Sequence, residues 1–373
     1  MIKIKKVCIV TASRSEYGLL RWLIDEVKND HQLCLQLIVT GAHLSPEFGL
    51  TYTEIEKDGY EINEKVDIQI SSSDQSGIVK SMGICSIGFS DVFDRLKPDV
   101  VIVLGDRYEL LPICGAALLM KIPIAHISGG DITEGAIDDQ VRNAVTMMAT
   151  LHFPGVENSA KRIERMRGAS KGIHPVGEPG LDNLIRLTLW NRENLAENIG
   201  LDLSTRWILL TYHPETKLDL NQNIESINNI INVLDKTPNS QIIITGANSD
   251  FGGFEINKIL KKAANSNETK YKFFNSLGQH RYLSLMKEVD LIIGNSSSGI
   301  VEAPFLAKSV VNVGKRQKGR YISTNITSCS NEISSIFNAV ETASSQCLSP
   351  DSYFGDGKSS SKIKKIIKEF LFK

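Results

Sequence analysis

Val289-Asp-Leu-Ile-Ile-Gly-Asn-Ser-Ser-Ser-Gly-Ile-Val-Glu302 is the stretch on which the fold turns. Residues 289–293 form a short apolar run, which reads as a buried parallel strand. A turn of small residues follows, then a helix start with hydroxyls in its first turn. Free backbone N–H groups point outward from such a turn, and the helix dipole adds positive potential there. Phosphate binds at such a place with little steric obstruction. Glu302 lies four residues beyond Ser298, so the two share one helix face. A carboxylate one turn inside a phosphate-binding helix repels phosphate unless it accepts hydrogen bonds from something else. The vicinal hydroxyls of a ribose are such a donor. The plainer alternative is an ordinary serine-capped helix.

The same unit recurs outward from this stretch. Short β-rich runs at 7–11, 35–40, 100–104, 123–127 and 151–153 alternate with helical patterns, and so do runs at 207–211, 241–245, 272–274, 291–294 and 310–313. This alternation predicts parallel sheets with crossover helices, one doubly wound α/β unit in each half. Two domains also suit the 373 residues. The Pro- and Gly-dense stretch His174-Pro-Val-Gly-Glu-Pro-Gly180 marks the junction, giving domains 1–178 and 179–373. The terminal stretch 361–372 carries Ile363, Ile366, Ile367, Phe370 and Leu371 on one stripe with lysines opposite, and is expected to pack back near the junction.

Composition narrows the function classes. A formal net charge of −1 removes any global case for nucleic acid or an anionic membrane, so a polyanion site must be local. No apolar stretch approaches a membrane-spanning length, and 7–10 is too short for a signal sequence. The six cysteines include no CxxC pair. A cytoplasmic protein with reduced thiols is expected.

In open parallel sheets, ligands collect at the carboxyl ends of the strands. There the first half offers Thr11-Ala-Ser-Arg-Ser-Glu-Tyr17, Gly41-Ala-His43, Val103-Leu-Gly-Asp-Arg107 and His126-Ile-Ser-Gly-Gly-Asp131. The second half offers Tyr212-His-Pro-Glu215, Gly246-Ala-Asn248 and the serine segment, which runs on to Val313-Gly-Lys-Arg-Gln-Lys-Gly319. A lone strand-end His or Asp is more often structural, but seven such loops are hard to dismiss. Acids gather in the first half (Asp106, Asp131, Glu134, Asp138, Asp139), whereas Ser296, Ser297, His213 and Arg316 in the second are anion-binding groups. That division suits a nucleoside diphosphate held by the second domain and a sugar pressed against acids of the first. Each residue also has a bland reading. Arg14 could be a surface ion-pair partner, Asp106 and Asp138 helix caps, His213 a strand-end histidine, and the basic residues of 161–167 a solvated face.

Taken together and in order from Thr11 to Arg320, these motifs resemble the UDP-N-acetylglucosamine 2-epimerase family, and most of all its hydrolysing branch. The resemblance implies the GT-B arrangement, two Rossmann-like domains facing a central cleft, and homodimers or homotetramers. It implies that Arg14, His43, His213, Ser296, Ser297 and Arg316 serve the UDP-sugar, and that Glu302 holds the ribose. Asp106, with Asp131 or Asp138 and with His213, is implied in the chemistry. One departure stands out: some relatives carry Glu where this chain has Ser128, so that acid must come from elsewhere.

The implied reaction converts UDP-N-acetylglucosamine and water to UDP and N-acetylmannosamine, through elimination to a 2-acetamidoglucal and hydration. Relatives in the same branch use UDP-2,4-diacetamido-2,4,6-trideoxyglucose, and the nucleotide motifs do not separate the two sugars. A non-hydrolysing epimerase, a GT-B glycosyltransferase and a non-catalytic UDP-sugar-binding regulator are the rivals. No Gly-x-Gly-x-x-Gly follows the first strand, which argues against NAD. No His/Cys/Asp spacing demands a metal, so no cofactor is expected.

Overall fold

The apolar runs become two parallel sheets. In the first, β1 (Lys5–Thr11), β2 (Leu33–Thr40), β3 (Glu64–Val66), β4 (Val100–Leu104), β5 (Ile124–Ile127) and β6 (Leu151–Phe153) lie in the order β3-β2-β1-β4-β5-β6. In the second, β7 (Arg206–Thr211), β8 (Ser240–Thr245), β9 (Tyr271–Phe274), β10 (Leu291–Gly294), β11 (Val310–Val313) and β12 (Ile326–Cys329) lie in the order β12-β11-β10-β7-β8-β9. The computed structural model describes residues 4–70, 75–132, 137–215, 217–247 and 252–373. Each sheet belongs to its own compact unit, Met1–Ile185 with Phe354–Lys373, and Arg186–Tyr353. Two Rossmann-like units in one chain make the fold GT-B-like.

Crossover helices fill the sequence between strands. They are α1 (Arg14–Lys28), α2 (Tyr52–Lys57), α3 (Gln75–Leu96), α4 (Leu110–Leu119), α5 (Asp138–Met148), α6 (Glu157–Arg167) and α7 (Gly180–Arg186). Beyond these come α8 (Arg192–Ile199), α9 (Leu220–Asp235), α10 (Gly253–Ser266), α11 (Gly278–Glu288), α12 (Ser298–Phe305), α13 (Ile333–Ser344) and α14 (Ser359–Leu371). Successive side chains of a strand point to opposite faces, so both faces of the first sheet are apolar. Val7 and Ile9 join a core with Leu20, Leu23 and Ile24 of α1, while Cys8 and Val10 join another with Phe89 and Phe93 of α3. Among the described residues, no helix is long and apolar enough to cross a membrane.

Two strands, β3 and β12, were not foreseen. Both are sheet edges, Glu-Lys-Val and Ile-Thr-Ser-Cys, whose polar residues leave no apolar run to signal a strand. The unit boundary also differs from the expected 178/179. It falls at 185/186, and residues 354–373 return to the first unit. The reason is α14, whose Ile363 and Ile367 complete the core that α1 covers, and whose Lys368 and Lys364 pair with Asp30. Asp182, fully buried in α7, receives the backbone N–H groups of Ser359 and Ser360 and the Ser359 hydroxyl, each at 2.8 Å. It thus satisfies donors that the first turn of α14 would otherwise leave open.

Strand order reverses between β1 and β4 in the first sheet and between β7 and β10 in the second. At such a switch point the flanking loops leave toward opposite faces and open a crevice at the carboxyl ends. The loops that line these two crevices are those after β1 and β4, and those after β7 and β10.

Replacing Asp182 with Ala is expected to destabilise the first unit by about 1–3 kcal/mol, the penalty for buried donors left unmet. Thermal melts of parent, Asp182→Ala and Asp182→Asn would check this, with Asn intermediate. An Ala variant melting with the parent would show that α14 is held by its apolar stripe alone.

Candidate active site

In the second unit the site is built on Asn295. Gly294 ends β10 at φ +139°, and a Cβ there would lie 1.9 Å from the Thr211 carbonyl oxygen. Only glycine lets β10 approach β7 so closely. Asn295, which is buried, then clamps the neighbouring loop. Its amide oxygen accepts from the His213 N–H at 2.8 Å and its amide nitrogen donates to the His213 carbonyl at 2.8 Å. The Asn295 carbonyl accepts from Gln317 at 2.8 Å and from Arg316 at 3.2 Å. One residue therefore brings the loops after β7, β10 and β11 together, and with them His213, Ser296, Ser297 and Arg316. Beneath them Glu215 accepts from the Lys315 N–H at 3.1 Å.

α12 begins where the serine segment predicts. Ser296 and Ser298 share a hydroxyl–hydroxyl bond of 2.9 Å, and Tyr282 reaches Ser298 at 2.6 Å. Ser297 is exposed and forms no side-chain cap. The Ser296 hydroxyl accepts instead from the Ser298 N–H at 3.4 Å, so the plainer serine-capped helix is also present in the structure. Glu302 is half-buried one turn further on; burial pushes its carboxyl up to about 7, against the pull of Arg320.

The first unit carries the acids, and here two arginines organise them. Arg142 of α5, only 5% exposed, donates to the Asp106 carboxylate, to the Asp131 carbonyl at 3.0 Å and toward Asp139 at 3.5 Å. Arg162 of α6 donates to the same Asp131 carbonyl at 2.9 Å and to Asp139 at 3.2 Å. The Asp131 carboxylate accepts from Ser159 at 2.6 Å. Asp106, Asp131 and Asp139 thus meet through two guanidiniums rather than by mutual repulsion, the arrangement expected of clustered acids. Asp138 is the first residue of α5, in the helix start that a capping role would also give it. Glu134, Asn248 and Thr216 lie outside the described residues.

His126 supports this corner from the sheet. Its Nε2 faces the Gly105 carbonyl at 2.8 Å, and a carbonyl only accepts, so Nε2 carries the proton and Nδ1 accepts from Thr146 at 3.2 Å. Burial holds the ring's pKa down at about 4. Gly129 and Gly130 are required here, since a Cβ on Gly129 would press on His126 and one on Gly130 would meet the Ser159 carbonyl at 2.4 Å. Ser128 sits between them and the strand at φ +59°.

The remaining expected residues are placed apart. His43 is fully buried, with Nε2 on Thr11 at 3.0 Å and Nδ1 on Thr51 at 2.9 Å, so it braces the ends of β1 and β2 from inside. Arg14 is the exposed first residue of α1 and pairs with Glu54 at 3.1 Å. Such a pair is worth only ~0–1 kcal/mol, so an anion can readily displace it. Three residues escaped sequence reading: Arg142, Arg162 and Glu16. Arg142 follows Asp138 by one helical turn, which was the available signal. Arg162 lies in the basic run 161–167, where a solvated face is the plain expectation, yet its guanidinium turns to Asp131 and Asp139. Glu16 accepts from the Ala12 N–H at 2.6 Å, and burial raises its carboxyl to about 7. Nearby Arg107 binds Glu109 at 2.6 Å and also pairs with Glu16 at 3.8 Å, which offsets part of that rise.

Comparison with known proteins follows the same outline. The family described as UDP-N-acetylglucosamine 2-epimerase matches residues 25–368. The GDP/UDP-N,N'-diacetylbacillosamine 2-epimerase (hydrolyzing) of Campylobacter jejuni is 42% identical, over 90% of this chain and 88% of its own. The UDP-N,N'-diacetylbacillosamine 2-epimerase (hydrolyzing) of Legionella pneumophila is 31% identical, over 98% and 96%. The solved UDP-GlcNAc 2-epimerase of Neisseria meningitidis bound to UDP-GlcNAc shares the fold, with a TM-score of 0.81 at 16% identity, covering 98% of this chain and all of that one.

The raised Glu16 carboxyl yields a pH test. Its folded pKa of about 7 lies above the unfolded value, so its contribution is fully present below the unfolded pKa and is lost as pH rises toward 7. Glu16→Gln keeps the acceptor for Ala12 and removes the titration. Between pH 5 and pH 8 the variant is expected to gain on the parent by about 1–3 kcal/mol in denaturant unfolding. A difference that does not change with pH would mean that Glu16 is already ionised.

Proposed function

The chain belongs to the UDP-N-acetylglucosamine 2-epimerase family, and we propose that it is a hydrolysing member, releasing UDP and a free 2-acetamido sugar inverted at C2. The observation that carries this reading is the chemical division between the units: carboxylates on two buried or half-buried arginines in the first, and a serine-lined helix start beside His213 and Arg316 in the second. For the sugar we favour UDP-2,4-diacetamido-2,4,6-trideoxyglucose. Both relatives described above, at 42% and 31% identity, carry N,N'-diacetylbacillosamine in their names. UDP-N-acetylglucosamine, the substrate that the motifs alone suggested, is the second reading, since those motifs sit at the nucleotide end common to both. A cytoplasmic setting goes with either, because six free cysteines call for a reducing compartment.

In the mechanism, a carboxylate of the first unit takes the C2 proton. The C2–H electron pair forms the C1=C2 bond as the C1–O bond breaks, and UDP leaves with that bond's electrons. Water then adds its oxygen to C1, and a proton reaches C2 on the opposite face. The C2–H is a weak acid, so stabilising the leaving diphosphate is decisive. His213, Arg316, Ser296, Ser297 and the start of α12 supply that stabilisation, with Arg14 assisting and Glu302 accepting from the ribose. Asp106 and Asp131 are the acid–base pair. Asp138 is the alternative to Asp131, and Arg142 positions Asp106. His43 contributes indirectly, by bracing the loops after β1 and β2.

Incubation with each UDP-sugar, followed by NMR, is expected to yield UDP and the C2-inverted free sugar, with the diacetamido substrate giving the higher kcat/KM. In D2O the product should carry deuterium at C2, and oxygen from labelled water should enter the sugar. Label in the UDP phosphate would mean attack at phosphorus and would end the elimination reading.

Asp106→Asn is expected to lower kcat by roughly 100-fold or more while leaving UDP affinity within a few-fold. Glu302→Gln should weaken UDP by about 5–30-fold, the loss of one charged acceptor. Titration calorimetry with UDP separates the two, and unchanged affinity in the Glu302 variant would remove that residue from the ribose.

A further inference from the structure

We propose that Tyr282 of α11 is a positioning residue for the departing diphosphate, turning the Ser296 hydroxyl proton toward the ligand by way of Ser298. This rests on the reading of the α12 start as the diphosphate site, and it adds a side chain that none of the strand-end loops contains. Leu283, Leu285 and Met286 are buried and fix α11 in its unit. Tyr282, on the same helix, is half-buried and brings its phenol against the serine segment. Its hydroxyl meets Ser298 at 2.6 Å, and Ser298 meets Ser296 at 2.9 Å.

Chemistry sets the direction of this row. A phenol is more acidic than an aliphatic hydroxyl, and its oxygen shares electron density with the ring, so it donates better than it accepts. Tyr282 therefore donates to Ser298. The Ser298 oxygen, having accepted, passes its own proton to Ser296. The Ser296 oxygen also receives the Ser298 N–H at 3.4 Å, so both of its lone pairs are engaged. Its proton is the one left for a ligand. The phenol oxygen adjoins Ser296 and Thr211 as well, and Thr211 is bonded in turn to Thr245 at 2.7 Å. Against that neutral oxygen an incoming phosphate oxygen is the stronger acceptor, and it draws the Ser296 proton outward.

Each hydroxyl of the row polarises the next, so the donor that reaches the phosphate is stronger than an isolated serine. Cleavage of the C1–O bond moves negative charge onto the β-phosphate, and the bond from Ser296 strengthens as that charge grows. An interaction that tightens in the transition state raises kcat more than it lowers KM. Phenylalanine at 282 removes the donor at the head of the row. Ser298 then loses the bond that fixes its hydroxyl, and the Ser296 proton is free to turn back to Ser298.

Titration of the full chain with UDP and with uridine tests this. Tyr282→Phe is expected to weaken UDP about tenfold and uridine by less than about twofold, because the row ends at the phosphates and not at the nucleoside. In turnover of the UDP-sugar it should lower kcat about tenfold with KM within about threefold. Ser298→Ala breaks the row one link further on and should reproduce the UDP loss, whatever the Phe variant does to folding. In a Ser296→Ala background the last donor is already gone, so adding Tyr282→Phe should cost less than about a further twofold. A tyrosine that only packs gives additive losses instead. A tenfold loss persisting in that background, or UDP affinity unchanged or falling no more than uridine affinity in both single variants, overturns the role of Tyr282 alone. A parent that binds no UDP overturns the diphosphate reading itself, and this role falls with it.

Discussion

A guanidinium taken out of water must be met by anions or carbonyls, because an unpaired buried charge costs several kcal/mol. Arg142 meets this demand with Asp106 from the loop after β4, and with Asp131 and Asp139 from the segment joining β5 to α5. The ends of two adjacent strands and the start of a helix are thereby held in one arrangement. Arg162 repeats two of those contacts from α6, and Ser159 takes up the free side of Asp131. The acids of the first unit are as rigid as the arginines that hold them. General acid–base chemistry needs that rigidity, because a misplaced proton acceptor loses most of its rate advantage.

The second unit reaches similar order without a buried arginine among its described residues. Asn295 replaces the arginine, using both halves of its amide and its own carbonyl. A neutral clamp suits the place proposed for the diphosphate, since the clamp itself puts no fixed anion at the helix start. Glu302 fits the same logic: held up at about 7 by its surroundings, it presents less negative charge near neutral pH than an ordinary carboxylate would.

Ten strands were legible from the sequence because fully buried parallel strands are written in Val, Ile and Leu, and periodicity reports burial. The edges β3 and β12 were not: the opposite edges β6 and β9 still carry Leu and Phe, whereas Glu-Lys-Val and Ile-Thr-Ser-Cys break any apolar run with polar residues. The candidate loops were legible by their place after strands, which topology makes chemical. Arg142 and Arg162 were not, because helical spacing says which residues share a face but not that the face turns into a crevice. The stripe on α14 correctly predicted a packed helix, but a stripe does not name its partner. Its partners lie far away in sequence: the α1 core that receives Ile363 and Ile367, Asp30 that pairs with Lys364 and Lys368, and Asp182 that caps its first turn.

That return has a consequence during synthesis. The second unit is one uninterrupted segment, Arg186–Tyr353, inserted within the first. Its strands and helices are all available before residues 354–373 are made. The first unit, begun earlier, must wait with the α14-facing side of α1 uncovered and with Asp182 lacking the N–H groups it binds. At ordinary rates of translation the wait is roughly ten to thirty seconds. During that interval an apolar strip stands open on the ribosome, a natural target for a chaperone, and the element made later closes last.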